Sequence, residues 1–454
     1  MRVAIFLLAF ISCAFSLAAP PGPREAQATD ETLPAVPPPA RMLRQWSEAL
    51  TLIRTHSAEL GRARARVDQQ RGLVRSAWAG VLPSLQGTSA GVHQLVTKTM
   101  PLGRLDAAGN PTIILLEQPT KNYAQVALVA SWPLLSAPAI FQIGTASRQE
   151  DSARLAEEDA RRVVLTNAAQ AILSVVTAER VSELNRNGVQ SARDRLSLVR
   201  RRAEMGAASG LDVLRVEQDV EAARATWVTG DEQLRQTREA LGLALGLEVP
   251  VGVDDALRIE DLETAAAAVC TDGSLEMRPD IAAATLDEVI AHRAVTAVGL
   301  QWLPTLSAQS QVATTSLEQP TLPNTTWNVQ AMVAWSFWDG GARYGAKASA
   351  LALEASSRVT RELVTRQATI QVAQAQRAVG VAETSLQVAT KSRDLAAELE
   401  ALTTRGLEEG RGSSLEIVTA AAARRQAEIS LAVREFDVAR ARLGARLARA
   451  VCNY

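Results

Sequence analysis

The stretch that decides the fold is residues 139–205, with the sequence AIFQIGTASR QEDSARLAEE DARRVVLTNA AQAILSVVTA ERVSELNRNG VQSARDRLSL VRRRAEM. It contains no proline and is rich in Ala, Leu, Arg, Glu and Gln, which favour helix. Small apolar side chains recur at alternating steps of four and three residues, at Val164, Ala168, Ala171, Val175 and Ala178. This spacing predicts a coiled-coil-like seam on one helix of roughly 100 Å, far longer than the usual helix of about 11–12 residues.

A second long helix is predicted at about 341–405, and the turns that follow the two helices match. The first turn, residues 206–212, contains Gly206, Ser209, Leu211 and Asp212. The second turn, residues 406–416, contains Gly410, Ser413, Leu415 and Glu416 at the same spacing. Matching turns after matching helices indicate an internal repeat, and a repeat decides the fold class.

Two further marks precede each long helix. Leu-Pro-Ser-Leu at 82–85 corresponds to Leu-Pro-Thr-Leu at 303–306, and Ala-Ser-Trp at 130–132 corresponds to Val-Ala-Trp at 333–335. The unit of helix, strand, strand, long helix and return helix is therefore predicted twice, over residues 41–247 and 276–454. Residues 248–275 between the repeats are predicted to form an equatorial segment beside the middle of the long helices, with a short helix at 260–269. The leading helices, about 40–79 and 276–302, should cover the length that the shorter return helices leave free.

The strands are predicted at about 84–98 and 123–135, and again at about 305–315 and 327–338. From Trp327 to Phe337 every odd position is apolar, which is typical of a strand with one dry face. That face could pack on a protein core or contact lipid. The tryptophans favour lipid, because such rings concentrate at membrane interfaces. Those in or beside the predicted strands are Trp78, Trp132, Trp302, Trp327, Trp335 and Trp338.

Four strands per chain cannot form a stable sheet in lipid alone, because the amides at the sheet edges would lack partners. Closure must come from other copies of the chain. Three copies would supply twelve strands, an even number within the known range of membrane barrels. The excess length at about 100–120 is predicted to be a loop outside the membrane.

The N-terminus has the pattern of a secretory signal peptide over residues 1–18, with Arg2 before an apolar run. A lipid anchor on Cys13 is the alternative. Residues 19–40 are rich in proline and are predicted to form an extended tail. Signal removal would leave Cys270 and Cys452. In an oxidising compartment they could form a disulfide, which would stabilise the fold by about 4–5 kcal/mol at most, or they could stay as two thiols.

Composition argues against several other classes of protein. Aromatic residues make up 4% of the chain, too few for a large mixed globular core, and the net charge of −1 gives no nucleic-acid signature. No nucleophile motif, phosphate-binding loop or cluster of metal ligands is present in the sequence, so we expect no enzyme, no cofactor and no metal. A periplasmic coiled-coil scaffold outside the membrane remains as the alternative class, although it would not explain the tryptophan-bearing strands.

The duplicated marks, in their order and spacing, resemble the TolC-like outer membrane efflux proteins over the whole mature chain. The resemblance implies a homotrimer with a twelve-stranded barrel in the outer membrane and an α-helical barrel across the periplasm. It also implies a periplasmic adaptor protein and an inner-membrane transporter of RND, ABC or MFS type as partners, in drug efflux or type I secretion.

The resemblance also assigns roles to residues. It places Gly206, Ser209, Leu211, Asp212, Gly410, Ser413 and Leu415 at the periplasmic tip, where the adaptor docks. Glu416 matches the first of two acidic residues that ring the narrowest opening, but Thr419 stands at the second position. Gly412, with Arg411 beside it, stands where the family has a basic residue that helps to close the channel. Trp132, Trp327, Trp335 and Trp338 would lie at the membrane interfaces.

Overall fold

The computed structural model describes residues 36–93, 95, 98–105, 107–118, 122–254, 257, 264, 270–317 and 323–452. The chain divides into Met1–Pro37 and Pro38–Tyr454, and every element below belongs to the second unit. The predicted signal peptide, Cys13 and most of the proline-rich tail lie outside the described residues, as does the predicted helix at 260–269 apart from Thr264.

The first repeat alternates short helices, strands and long helices. Its elements are β1 (Arg41–Leu43), α1 (Trp46–His56), α2 (Ala58–Ala79), β2 (Ser84–His93), β3 (Lys98–Leu105), β4 (Pro111–Gln118), β5 (Asn122–Leu135), α3 (Ala137–Glu204) and α4 (Gly210–Ala244).

The remaining chain passes through the inter-repeat segment and then repeats this order. Its elements are β6 (Val251–Val253), β7 (Cys270–Asp272), a 3-10 turn (Leu275–Met277), α5 (Pro279–Leu300), β8 (Thr305–Thr315), β9 (Thr325–Ala334), α6 (Ala342–Glu408), α7 (Ser414–Leu447) and β10 (Ala450–Cys452). The expectation of a mainly helical fold with a small share of sheet is confirmed.

The leading helix of the first repeat is interrupted, whereas a single helix over about 40–79 was predicted. Residues 41–43 form β1, and the helix that follows breaks at Ser57. The Ser57 hydroxyl accepts a hydrogen bond from the backbone N–H of Leu60 at 3.4 Å, so it caps the start of α2. Serine competes with the helix backbone in this way and therefore favours caps over helix interiors.

The strand and turn boundaries also differ from the predicted ones. β2 ends at His93 rather than at 98, because His93 lies opposite Asn122, the first residue of its partner β5. The predicted loop at 100–120 contains a separate antiparallel hairpin, β3 and β4, whose turn includes Gly109 with a φ of 82°. The second tip turn is shorter than 406–416, because α6 continues to Glu408.

β9 ends at Ala334, so Trp335 and Trp338 lie beyond the strand that was predicted to include them. A hydrogen bond and two glycines accompany the turn of the chain there. The indole N–H of Trp335 donates to the carbonyl of Trp302 at 3.1 Å, and Gly340 and Gly341 take φ values of 70° and 92°. Such values suit glycine, which has no Cβ to clash with the backbone.

Four strands form one antiparallel sheet in the order β2–β5–β8–β9. The centre of this sheet joins the two repeats, because β5 pairs with β8 from Gln125 opposite Thr315 to Leu135 opposite Leu306, with a bulge near Pro133. β2 and β9 lie at the edges, and every residue of β9 is exposed. Within the described residues of one chain, both edge strands of this sheet therefore lack a pairing strand on their outer side.

The long helices start at this sheet and end at the matching turns. α3 packs on α2, α4, α5 and α7, and α6 packs mainly on α5 and α7. The largest group of buried apolar residues surrounds the middle of α3, where Val164, Ile172 and Val175 pack with Leu43 and Val251. The inter-repeat strand β6, which pairs with β1, is part of this core. Within the described residues, no helix combines the length and apolar character needed to cross a membrane.

Two capped turns at the ends of the long helices

The first turn combines a left-handed glycine with a capping box. Gly206 has a φ of 74°. Its N–H and that of Ala207 bond to the carbonyls of Ala203 and Arg202 at 3.0 and 2.8 Å. These two bonds form a Schellman motif, which satisfies the last carbonyls of α3. The Ser209 hydroxyl then accepts from the N–H of Asp212, while the Asp212 carboxylate accepts from the N–H of Ser209 at 2.9 Å.

The second turn repeats this geometry residue for residue. Gly410 has a φ of 77°, and its N–H bonds to the carbonyl of Leu407 at 3.0 Å. Ser413 and Glu416 form the reciprocal capping box, with the N–H of Ser413 donating to the Glu416 carboxylate at 3.1 Å. Glycine at the helix end and Ser-x-x-Asp/Glu at the next helix start thus have the same local cause in both turns.

The two turns contact each other within one chain. The Ser414 hydroxyl donates to the second oxygen of Asp212, and the Arg202 guanidinium donates to the carbonyl of Leu407. The hydrogen bond from Ser414, followed by that from Ser209, lowers the pKa of the Asp212 carboxyl to about 2. Asp212 therefore stays ionised at any physiological pH and links the start of α4 to the start of α7.

A network of charges, mostly buried, joins the two repeats close to the turns. Arg195 of α3 pairs with Asp219 of α4 at 2.9 Å and with Glu400 of α6 at 3.6 Å. Arg425 of α7 reaches the other oxygen of Asp219 at 3.4 Å, and Arg424 pairs with Glu400 at 2.6 Å. The Asp219 side chain is only 3% exposed. One carboxylate is thus shared by two guanidinium groups, so all four helices near the turns are held in one register.

The outer surface of the turns is partly apolar. Its exposed side chains are Met205, Leu211, Leu214 and Leu415. Burial of these side chains against another surface would remove apolar area from water. Glu416 is also exposed and carries the second capping box, and Thr419 bonds back to the carbonyl of Leu415 at 2.9 Å. Arg411, beside Gly412, pairs with Glu409 at 3.8 Å.

The predicted interface tryptophans lie at the opposite end of the long helices. Trp132 and Trp335 occupy equivalent places in the two repeats. Each donates its indole N–H to a carbonyl two residues before the Leu-Pro-x-Leu proline, from Trp132 to Val81 at 3.2 Å and from Trp335 to Trp302 at 3.1 Å. Trp327 and Trp338 are 74% and 73% exposed. Trp327 lies near the other end of β9 and donates to the Ser310 hydroxyl at 3.0 Å.

The remaining predicted site residues are Cys270 and Cys452, which lie far from the turns along the helices. Cys270 begins β7 and Cys452 ends β10. Among the described residues, no group of His, Cys, Asp and Glu side chains is arranged to hold a metal ion.

Several residues that build the tip were not singled out from the sequence. Ser414, Arg202 and Asp219 make the contacts between repeats, and these contacts span roughly 200 residues of sequence. No local sequence pattern predicts such pairs. The capping boxes, in contrast, have a local signature, Ser-x-x-Asp and Ser-x-x-Glu before an apolar run, from which Ser209 and Ser413 could have been assigned as helix caps.

Comparison with known proteins agrees with this geometry. Residues 49–247, which span most of the first repeat, match the family model described as outer membrane efflux protein. A membrane protein from Pseudomonas aeruginosa has the same fold, with a TM-score of 0.74 at 21% identity, over 88% of this chain and 91% of that one. The CmeC outer membrane channel of Campylobacter jejuni gives a TM-score of 0.74 at 15% identity, over 88% of this chain and 84% of that one.

The open state of the MtrE outer membrane channel of Neisseria gonorrhoeae aligns with a TM-score of 0.70 at 16% identity, over 89% of this chain and 88% of that one. At such identities the structural likeness concerns the fold, whereas the family match concerns the sequence of the first repeat. The first repeat is thus similar in sequence to outer membrane efflux proteins, and the chain as a whole has the fold of such outer-membrane channels.

Proposed function

We propose that the chain is the outer-membrane exit duct of a tripartite efflux or type I secretion system. Its role is passive: an inner-membrane transporter drives the substrate, and a periplasmic adaptor joins that transporter to the tip. The observation that carries the proposal is that the two ends of the long helices are built differently. An open sheet with exposed tryptophans lies at one end of helices of roughly 100 Å, and two matching capped turns lie at the other.

The sheet has the dimensions of a membrane-spanning segment. β2, β8 and β9 contain 10, 11 and 10 residues, and a tilted transmembrane strand needs about 9–11. Trp327 and Trp335 are separated by roughly 26 Å along an extended chain. At a strand tilt of about 40° this corresponds to roughly 20 Å along the membrane normal, most of the apolar band of about 25 Å in outer-membrane barrels. Trp132, Trp335 and Trp338 would then mark the periplasmic interface, and Trp327 would lie towards the outer one.

We further propose that three copies close the structure. The free edges β2 and β9 would pair between neighbouring copies, which gives a twelve-stranded barrel without edges. The surface of α6, the helix that follows β9, also favours another copy of the chain as the partner. Along α6, exposed apolar residues form a stripe, here called the α6 stripe. Val381, Val388, Leu395 and Leu402 follow one another at steps of seven, and Leu399 lies between the last two. A step of seven is the spacing at which one helix packs along another, so a second copy fits this surface.

The tip would be both the docking surface and the gate. Leu211 and Leu415 are the exposed apolar contacts for the adaptor, and the Schellman glycines set the angle at which the helices return. In a trimer the three copies of Glu416 would come near the axis and form an anionic ring, which would favour cations in the opening. A scaffold outside the membrane, the other class considered, has no use for the open sheet and is not favoured by the family match.

The architecture is tested by fractionation and native mass measurement in detergent. We expect a trimer in the outer-membrane fraction that detergent is needed to extract. A chain that stays soluble and monomeric after removal of detergent would contradict the proposal. The tip is tested in cells by replacing Leu211 and Leu415 with Gln. This change should weaken chemical crosslinking to the adaptor and raise dye accumulation while the trimer persists.

The ring of Glu416 is tested by single-channel conductance of Glu416→Gln. Glutamine still completes a capping box, so the helix start should stay intact while three charges are lost. We expect the preference for cations over anions to fall. The matched control is Glu409→Gln, which removes the same charge from the same turn at a side chain that is 60% exposed. If both variants keep the parent selectivity, Glu416 does not line the opening.

A further inference from the structure

Two of the three cysteines of the chain lie in one short antiparallel ladder. β7 comes from the inter-repeat segment and β10 from the C-terminus. The register pairs Asp272 with Ala450, Thr271 with Val451, and Cys270 with Cys452. The third cysteine, Cys13, belongs to the predicted signal peptide. The two cysteines of the mature chain are thus direct partners across a ladder.

The geometry of such a ladder suits a covalent bond. Directly opposed residues of antiparallel strands have Cα atoms about 4.5 or 5.5 Å apart, depending on the type of pair. A disulfide needs a separation of about 4.4–6.8 Å. The main chain therefore already brings the two residues within bonding range. Sequence alone could not supply this separation, because the two cysteines are about 180 residues apart in the chain.

An independent contact holds the same two segments together. Arg278 follows β7 closely and is only 2% exposed. Its guanidinium donates to the carbonyl of Ala448 at 3.2 Å, just before β10, and pairs with Asp280 at 2.7 Å. It also donates to Gln371 of α6 at 2.8 Å. The ladder thus extends a junction in which the C-terminal segment is already tied to the start of α5 and to α6.

We infer that Cys270 and Cys452 form a disulfide that ties the C-terminus to the inter-repeat segment. The inference rests on the proposed function in one respect, which is that these segments lie in the oxidising periplasm. The oxidant is a periplasmic dithiol–disulfide oxidoreductase. One cysteine, as thiolate, attacks the oxidant's disulfide and forms a mixed disulfide, which the second thiolate resolves. The S–S bond of the chain forms as the oxidant's S–S bond breaks, and the two thiol protons and both electrons end on the oxidant, which leaves as a dithiol.

The test is peptide mapping of the full chain purified from membranes in the presence of a thiol-blocking maleimide. After denaturation without reductant and digestion with trypsin, residues 259–293 and residues 450–454 should appear as one linked species, because trypsin cleaves at Arg258, Arg293 and Arg449 but poorly between Arg278 and Pro279. Reduction should separate them and release two thiols. Maleimide on both cysteines, or a bridge between two chains on a denaturing gel without reductant, would overturn the inference.

Two variants test the register itself. In Cys270→Ser with Thr271→Cys, the remaining thiol pair is shifted by one register position, and we expect at least a tenfold lower fraction of bridged chains. In Cys270→Ser and Cys452→Ser with Thr271→Cys and Val451→Cys, a directly opposed pair is restored and the bridge should return. Equal bridging in the shifted and the opposed pair would contradict the ladder as its cause.

Fractionation of the same cells separates failure of this inference from failure of the proposed function. A chain that reaches the outer membrane as a trimer with two blocked thiols overturns the disulfide alone. A chain that stays in the cytosol overturns the exit-duct proposal, because of its location. Its two blocked thiols overturn the disulfide as well, and the two failures are thus read from separate measurements.

Discussion

The two long helices have nearly the same length, 68 residues in α3 and 67 in α6, but different surroundings. α3 has buried side chains from Thr145 to Val199, because α2, α4, α5 and α7 of the same chain pack along it. α6 packs mainly on two and keeps the α6 stripe exposed; Leu395 and Leu402 are each 57% exposed. A duplicated sequence unit has therefore not produced a duplicated environment. The first long helix is covered by its own chain, whereas the second keeps an exposed apolar stripe, on which we propose that another copy packs.

The largest expected effect comes from charging the α6 stripe. Leu395→Glu combined with Leu402→Glu would place carboxylates in the proposed contact between copies, where they would lose water without gaining a partner. We expect the trimer to disappear at concentrations where the parent is fully trimeric, as measured by native mass spectrometry in detergent. Leu395→Met with Leu402→Met keeps the apolar volume and should leave the trimer intact. A persistent trimer in the Glu variant would show that this stripe faces no other copy.

The next effect tests how the repeats are held to each other near the turns. Asp219→Ala leaves Arg195 and Arg425 without their shared buried carboxylate, and loss of one partner of a buried ion pair costs about 3–5 kcal/mol. Glu217→Ala is the matched control, because it breaks an exposed pair with Arg200 worth about 0–1 kcal/mol. Denaturant unfolding should separate the two variants clearly. Equal losses would mean that burial of Asp219 is not what stabilises the junction.

A smaller effect isolates the backbone of the first turn. A Cβ at Gly206 or at Gly210 meets no atom within 4 Å, but only Gly206 has a positive φ, of 74°. Gly206→Ala should therefore cost about 1–2 kcal/mol through conformation alone, while Gly210→Ala should be neutral or slightly stabilising. Thermal unfolding of the two variants measures the difference. The second turn offers no such pair, because Ser414 stands at the position of Gly210, and a Cβ at Gly412 would lie 2.8 Å from the N of Leu407.

The smallest effect concerns pH and the capping acid of the first turn, Asp212. Because the pKa of Asp212 is lowered to about 2, its contribution to stability is complete above the ordinary carboxyl pKa near 4 and is lost as the pH falls through about 2. Between pH 7 and pH 5 the contact from Asp212 to Ser414 should not change. Acid titration of Asp212→Asn against the parent should give parallel stability curves in that window and convergent curves below pH 4. Divergence at pH 5–6 would contradict the assignment.

Local features of the turns followed directly from residue type. Glycine at a left-handed position and serine followed three residues later by an acid have one favoured structure wherever they occur between helices, so the matched residues of the two turns could be aligned before any coordinates. The helix break at Ser57 has the same kind of cause and was still missed, because alanine and leucine on both sides favour a continuous helix.

By itself, the sequence determined the duplicated unit, the two long helices, the capped turns and the tryptophan-bearing strands, since each depends on residues close in the chain. Only the tertiary structure decided where distant parts of the chain meet. It pairs β5 with β8, brings Asp212 into contact with Ser414, and places Cys270 opposite Cys452. It also decided that α3 is enclosed while α6 is not. These outcomes join residues that are far apart in sequence, and similar helical patterns permit many such pairings until side chains pack and charges find partners.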